Sequence, residues 1–596
     1  MARTAILQRL ALVRLHARLP SWLRIAIAIV AIALGAVIII RPTTALNVLA
    51  VLLGGGMILT GVLELTGRAD DAEHPRWRAL TGIGWLVGGT FVLLWPALTV
   101  RAVGALVGVL LIVNGVLGVV AAFQRGRGWD ARIADVAFGA TGALFGVLAL
   151  AWPDITLLVV AVAFGARLIW GGVADLWTRL RGRRDRTRHR DPSRRRWGRA
   201  VIAIASVAVA VAATIVTAPL RAGSPVVDDF YAAPRDMPDE PGRLIRSEPF
   251  TAGIPVAAEA WRILYTTTGV DGEVRAASGV VVVPREGDGR WPVVDWNHGT
   301  TGFAQDCAPS LQERGLWSGA LYILPTMIQE GWAVVATDYI GLGTEGPHPY
   351  LIGPPSAYAS LDAVRAAREL PEADLGVSTV VWGHSQGGHA ALWTGALARE
   401  YAPEVWIKGV AALAPAGDPP ALVQRVSRVT GGSIFASFAI ASYTQIYDDI
   451  DLREVVRPGA QEIVQRMSQR CLSDPGTVVS VAAALGMSGD PDLFARPPTS
   501  GELGVRLREN IAPAGTTAPL LIGQGGSDTV VSPTLQSYYV DTLCAAGQQV
   551  DYRVYDGYEH ARVIERPSPL LPELVEWTHA RFAGELVEPG CTRTDR

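Results

Sequence analysis

The sequence predicts two domains of different class, an all-α polytopic membrane domain followed by a mainly parallel α/β domain. Three observations predict it. Roughly the first 220 residues are almost continuously apolar, which lifts the mean hydropathy of the 596-residue chain to +0.27. Beyond about residue 260, β-rich runs alternate with helical ones. All four cysteines, Cys307, Cys471, Cys544 and Cys591, fall in this second part. The formal net charge of -2 averages a basic first part against an acidic remainder, and so argues for neither nucleic acid nor an acidic substrate as partner.

Apolar runs of roughly the 20 residues that cross a bilayer occur at 25–40, 46–66, 80–98, 102–123, 133–151, 155–176 and 200–218. Arg3, Arg9, Arg14, Arg18 and Arg24 precede the first run like the basic start of a signal peptide, but six further runs follow. The first is therefore read as a retained anchor. Arg68, Arg76 and Arg78, then Arg125, Arg127 and Arg132, then the eleven arginines of 179–199 fall on the same side as the N-terminus. The alternate connections carry only Arg41, Arg101 and Asp154. Positive loops stay cytoplasmic, so the N-terminus is expected inside and everything after the seventh span outside. An oxidising location suits two disulfides, with three pairings open.

The first six runs contain a threefold repeat. Gly35, Pro42, Gly54, Ile58 and Gly61 recur at the same spacing as Gly89, Pro96, Gly108, Ile112 and Gly115, and again as Gly146, Pro153, Gly165, Ile169 and Gly172. Each copy reads as a helical hairpin whose proline marks the turn and whose glycines allow close helix approach. Over residues 20 to 178 the pattern resembles the HdeD-type family of small membrane proteins. Glu64, Asp135, Arg167 and Asp175 lie mostly near span ends and read as interfacial residues.

The expected organisation is a basic cytoplasmic N-terminus over 1–24, a six-helix membrane domain over 25–178, an arginine-rich cytoplasmic loop over 179–199, a seventh span over 200–218, a linker over 219–250 and a catalytic domain over 251–596.

In the last of these, Trp261 to Thr267 and Glu273 to Val283 predict an opening hairpin, and Val293 to Trp296 a strand that runs into His298-Gly299-Thr300-Thr301-Gly302. Trp332 to Thr337 is the next strand and ends in Asp338-Tyr339-Ile340-Gly341-Leu342-Gly343. Ser360 to Glu369 reads as a helix. Val377 to Trp382 then delivers Gly383-His384-Ser385-Gln386-Gly387, with a helix behind it over Gly388 to Glu400. A strand, a tight turn and a helix are the setting that gives G-x-S-x-G its meaning as a nucleophile elbow. Small residues at Gly383 and Gly387 let the chain turn sharply enough to lift the Ser385 hydroxyl clear of the sheet.

Serine needs a base and an acid, expected later in the chain in the order Ser, Asp, His. The strand at Leu520 to Gly523 leads to a turn that presents Asp528, and Val550 to Tyr555 is followed by His560. Asp556 and Glu559 are rivals for the acid, but a turn after the preceding strand suits Asp528 better. His298, His348, His384, His389 and His579 read as structural or pocket-lining. The backbone N–H groups of Gln386 and Thr300, with Thr301 in reserve, are the candidate oxyanion donors.

These motifs, with His348-Pro349-Tyr350 and Gly388, resemble the secretory lipase family of α/β-hydrolases over roughly residues 240 to 585. The resemblance implies an α/β-hydrolase fold, carboxylic ester hydrolysis, and a helical cap at about 417–513, where 421–429, 434–446 and 458–468 look helical. The expectation is a membrane-anchored extracytoplasmic serine esterase or lipase without metal or organic cofactor. Its partners would be a lipid or ester substrate and the bilayer. Amide cleavage on the same fold, or a membrane sensor whose hydrolase-like domain only binds a ligand, are the other readings.

Overall fold

The computed structural model describes residues 20–66, 75–123, 129–180, 192–222, 225–426, 429, 431–487 and 493–596. The basic segment up to residue 19, Arg68, Arg125, Arg127 and the arginines of 181–190 lie outside them. The chain divides into two compact units, the first mainly residues up to Pro219 and the second mainly the remainder.

The first unit is helical, with α1 Ser21–Ile40, α2 Pro42–Thr66, α3 Pro75–Leu94, α4 Pro96–Ala122, α5 Trp129–Ala151, α6 Pro153–Leu180 and α7 Pro192–Ala222. Pro42, Pro96 and Pro153 each open a helix, where a missing N–H leaves no bond unmade. The run read as 80–98 therefore breaks at Pro96. The last helix begins at Pro192, so part of the expected arginine-rich loop is helical. Among the described residues three helices are long and apolar enough to cross a membrane, Pro96–Ala122, Arg132–Ala151 and Pro153–Trp177. Apolar side chains such as Val30, Leu117 and Trp170 face outward, which suits a lipid solvent rather than water.

The repeat glycines do bring helices together, but between copies instead of within one. A Cβ built on Gly89 would stand 2.7 Å from the Gly54 carbonyl oxygen and 2.8 Å from Ile58 Cγ1. Gly146 meets Gly108 and Ile112 in the same way, at 2.7 and 2.6 Å. Gly35 of the first copy meets Gly165 and Ile169 of the third, at 2.6 and 2.8 Å. The tight pairs are thus α2 with α3, α4 with α5 and α6 with α1. The contact cycle closes on itself.

The second unit is built on a ten-stranded mixed sheet of order β1-β2-β3-β5-β4-β6-β7-β8-β9-β10. Its strands are β1 Leu244–Pro249, β2 Ala258–Thr268, β3 Val274–Pro284, β4 Trp291–Asn297, β5 Ala333–Tyr339, β6 Leu375–His384, β7 Trp406–Leu413, β8 Leu520–Gly525, β9 Val550–Tyr555 and β10 Cys591–Asp595. β1, β2, β3 and β5 pair antiparallel in succession, and from β5 to β10 all pairs are parallel. The central strands are buried on both faces, as in Ala333–Tyr339, which accounts for their unbroken apolar runs.

The expected linker is in part structured. β1 lies within 219–250 and pairs with β2. Before it, Phe230 and Tyr231 are buried, with the Arg262 guanidinium 4.3 Å from the Phe230 ring and the Tyr231 hydroxyl 2.8 Å from Ser310 Oγ.

After α8 Leu324–Gln329, α9 Gly353–Arg368 and α10 Gln386–Tyr401, the stretch between β7 and β8 holds the helices α11 Pro419–Val426, α12 Gly432–Ile446, α13 Leu452–Val455, α14 Gln461–Ser468, α15 Thr477–Gly486 and α16 Gly501–Glu509 among the described residues. The chain ends with α17 Pro533–Ala545 and α18 Leu570–Ala583 around the last strands. Two disulfides form, Cys307–Cys471 and Cys544–Cys591, which selects one of the three pairings.

Candidate active site

Strand register brings the site together. Asn297 at the end of β4 pairs with Gly383 near the end of β6, so residues 298–300 leave the sheet beside residues 384–386. Gly525 pairs with Tyr555, which sets the turns after β8 and β9 side by side. Ser385 stands at the N-terminal end of α10 with φ 58° and ψ -116°, a region that costs a non-glycine residue on the order of 1–3 kcal/mol. The surroundings enforce it. A Cβ on Gly383 would stand 2.0 Å from the Gly387 carbonyl oxygen, so a larger residue cannot turn there.

His560 Nε2 lies 2.8 Å from Ser385 Oγ, and His560 Nδ1 lies 2.7 Å from Asp528 Oδ2. A carboxylate only accepts, so Nδ1 carries the proton and Nε2 is free to accept from the serine hydroxyl. Asp528 is buried, and its remaining lone pairs are filled. Oδ1 accepts from the N–H groups of Val530 and Val531, both at 2.8 Å, and Oδ2 also accepts from Gln524 Nε2 at 3.0 Å. This arrangement can hold an imidazole in one tautomer and stabilise its cation.

The Gln386 N–H is in the first turn of α10 and has no acceptor within the helix. Across from it, a Cβ on Gly299 would be 3.9 Å from Ser385 Cβ, so the loop that carries Thr300 passes next to Ser385.

Residues 318–589 match the family model of the secretory lipases. The C-terminal part carries a secretory lipase domain. Ser385, Asp528 and His560 fall inside the matched stretch, and Thr300 precedes it. Three stretches of the helical unit, 26–89, 80–148 and 137–215, match a short repeat of unknown function (DUF308). A probable inactive lipase of Mycobacterium tuberculosis is 27% identical over 396 residues, covering 62% of this chain and 85% of its own. A secreted triacylglycerol lipase of Malassezia globosa is 25% identical over 391 residues, covering 60% and 79%. Among solved structures, Candida antarctica lipase A in its closed state is similar with a TM-score of 0.52 at 22% identity, covering 62% of this chain and 89% of that one.

The other candidate residues have partners of their own. Asp556 is exposed and accepts from the Gly557 N–H, and His579 pairs with Glu330 at the surface. His298 Nδ1 faces the Gly299 carbonyl at 2.6 Å. His389 Nε2 donates to the Asn510 carbonyl at 2.7 Å. His384 Nε2 donates to the His560 carbonyl at 3.1 Å, and burial pushes the His384 ring down to about 3, so it stays neutral beside the candidate base. Thr301 is buried, and its carbonyl accepts from the Leu472 N–H.

Gln524, which steadies Asp528, was not singled out by the sequence, since a glutamine in a strand carries no motif. Among the described residues the group with metal-ligand spacing is Asp306, Cys307 and Cys471. Its two sulfurs are joined to each other and offer no thiolate.

Proposed function

We propose that the protein is a membrane-anchored, extracytoplasmic serine hydrolase that cleaves carboxylic esters of lipids or lipophilic acyl compounds through an acyl-enzyme. The observation that carries this reading is the continuous chain of hydrogen bonds from Ser385 through His560 to Asp528. His560 takes the Ser385 proton as Oγ attacks the ester carbonyl, and the backbone N–H groups of Gln386 and Thr300 receive the oxyanion. The protonated imidazole then gives its proton to the departing alkoxide. Water repeats the sequence on the acyl-enzyme and frees the acid.

Ester cleavage is supported by the secretory lipase match and by relatives named as triacylglycerol lipases. A relative bears the name of an inactive lipase, but in this chain the serine, the base and the acid are all present and bonded. Anchoring is supported by the apolar helices and the DUF308 repeats, with membrane residues at 25–178 and 200–218 and the hydrolase after them. The arginine pattern supports an external catalytic domain.

The test is hydrolysis of short- and long-chain p-nitrophenyl esters beside peptide substrates by the full chain in membranes. Ester turnover without peptide cleavage is expected, and peptide cleavage alone would overturn the ester assignment. A periplasmic-type reporter fused after Arg596 should be active, and a reporter active only in the cytoplasm would overturn the location.

A further inference from the structure

The motif His348-Pro349-Tyr350 lies far from the triad in sequence and has no part in the mechanism above. In the structure it reaches both candidate oxyanion residues. The Tyr350 hydroxyl lies 3.0 Å from Thr300 Oγ1, and His348 Nε2 lies 2.8 Å from Gln386 Nε2. The chemistry of the second contact is determined by its neighbour. His348 Nδ1 faces the Ile340 carbonyl at 3.1 Å, which only accepts, so Nδ1 carries the proton and Nε2 accepts from the Gln386 amide. Burial pushes the His348 ring down to about 3, so the neutral form persists at working pH.

The segment is itself held from the other side. Ser442 Oγ on helix α12 donates to the His348 carbonyl at 3.0 Å, and Tyr443 OH donates to the Leu351 carbonyl at 2.9 Å. Leu351 has φ 59°, a left-handed conformation that a leucine keeps only where its surroundings demand it. The Tyr350 ring packs edge-on against Phe438 of the same helix, with centroids 6.0 Å apart. His348, Tyr350, Gln386 and Tyr443 are all buried. A backbone N–H points where its peptide plane points, and a side chain tied to a fixed partner restricts rotation of that plane.

We infer that His348 and Tyr350 are positioning residues for the oxyanion hole, joining helix α12 to the two backbone donors at Thr300 and Gln386. The inference rests on the serine hydrolase reading. Neither residue touches the substrate. Each acts through the residue whose N–H does, so its loss acts on transition-state stabilisation and leaves substrate affinity unaltered.

The experiment measures kcat and KM on p-nitrophenyl butyrate for the full chain in detergent, as wild type, Tyr350→Phe, Thr300→Val and the double variant. Tyr350→Phe keeps the ring against Phe438 and removes only the hydroxyl. It is expected to lower kcat about 10-fold, a fraction of the loss that follows removal of a whole oxyanion donor, with KM within about 2-fold. Because Tyr350 acts through Thr300, the double variant should be no slower than Thr300→Val alone. A second arm, Gln386→Met, removes the amide bonded to His348 and should also lower kcat at constant KM. Unchanged kcat in both Tyr350→Phe and Gln386→Met, or losses that multiply in the double variant, would overturn the inference while leaving an active serine hydrolase. A wild-type chain that turns over no ester would instead overturn the reading beneath it, and the inference with it.

Discussion

Gly387 lies so close to Asn297 that a Cβ built on it would stand 1.9 Å from the Asn297 carbonyl oxygen. This approach seats the end of β4 on the turn at Gly383–Gly387 and brings the Thr300 loop to Ser385. Gly387→Ala must push the two backbones apart, and neither partner is a flexible side chain. The expected outcome is loss of ester turnover by about 100-fold or more, the scale of a displaced oxyanion donor. Steady-state kinetics of the membrane-embedded chain checks it, and turnover near wild type would contradict it.

Asp528→Asn tests the acid. An amide at this position can present its NH₂ to His560 Nδ1, which favours the tautomer with the proton on Nε2 and removes the acceptor that Ser385 needs. The expected loss in kcat is about 10³- to 10⁴-fold. Asp556→Asn, at an exposed residue outside the hydrogen-bonded triad, should retain most activity.

The order Ser385, Asp528, His560 was legible because each residue follows a strand whose apolar run is long enough to recognise, as in Leu520–Gly525 and Val550–Tyr555. β1 and β10 were not. Their sequences, LIRSEP and CTRTD, are polar edge strands without an apolar alternation to read. The repeat spacing revealed three copies but not which helices pair, because equal spacing fits contacts within a copy as well as between copies. His348 and Tyr350 stood in a visible motif, yet their partners Gln386 and Thr300 are set by folding alone.

Asp295 on β4 offers a pH-dependent check on the core. Its carboxyl is fully buried, accepts from Ser360 Oγ at 2.6 Å, and is pushed by burial up to about 8. That is above the ~3.9 of an unfolded chain, so the folded state holds the proton more tightly. The stability this contributes is complete below pH ~4 and is lost as pH rises through about 8. Asp295→Asn, which does not ionise, should therefore gain on the native chain as pH rises, by up to about 1.4 kcal/mol per pH unit between 5 and 8. Thermal unfolding at pH 5 and pH 8 measures the gain, and an equal difference at both values would contradict it.

The two disulfides should differ in worth. Cys307–Cys471 closes 164 residues and Cys544–Cys591 closes 47. Loop-closure entropy makes the first the larger by about 1 kcal/mol, at about 5 against about 4 kcal/mol. Paired Cys→Ala variants followed by denaturant unfolding compare them. Equal losses would show that native contacts, and not chain entropy, dominate their effect.

A Ser385 hydroxyl activated by His560 should react with a fluorophosphonate. The most direct test is treatment of the full chain in membranes with a fluorophosphonate, followed by mass spectrometry of the labelled peptide. One adduct is expected, on Ser385, absent from Ser385→Ala and strongly slowed in His560→Ala. Labelling that persists in Ser385→Ala, or a folded wild-type chain that takes no label, would contradict it.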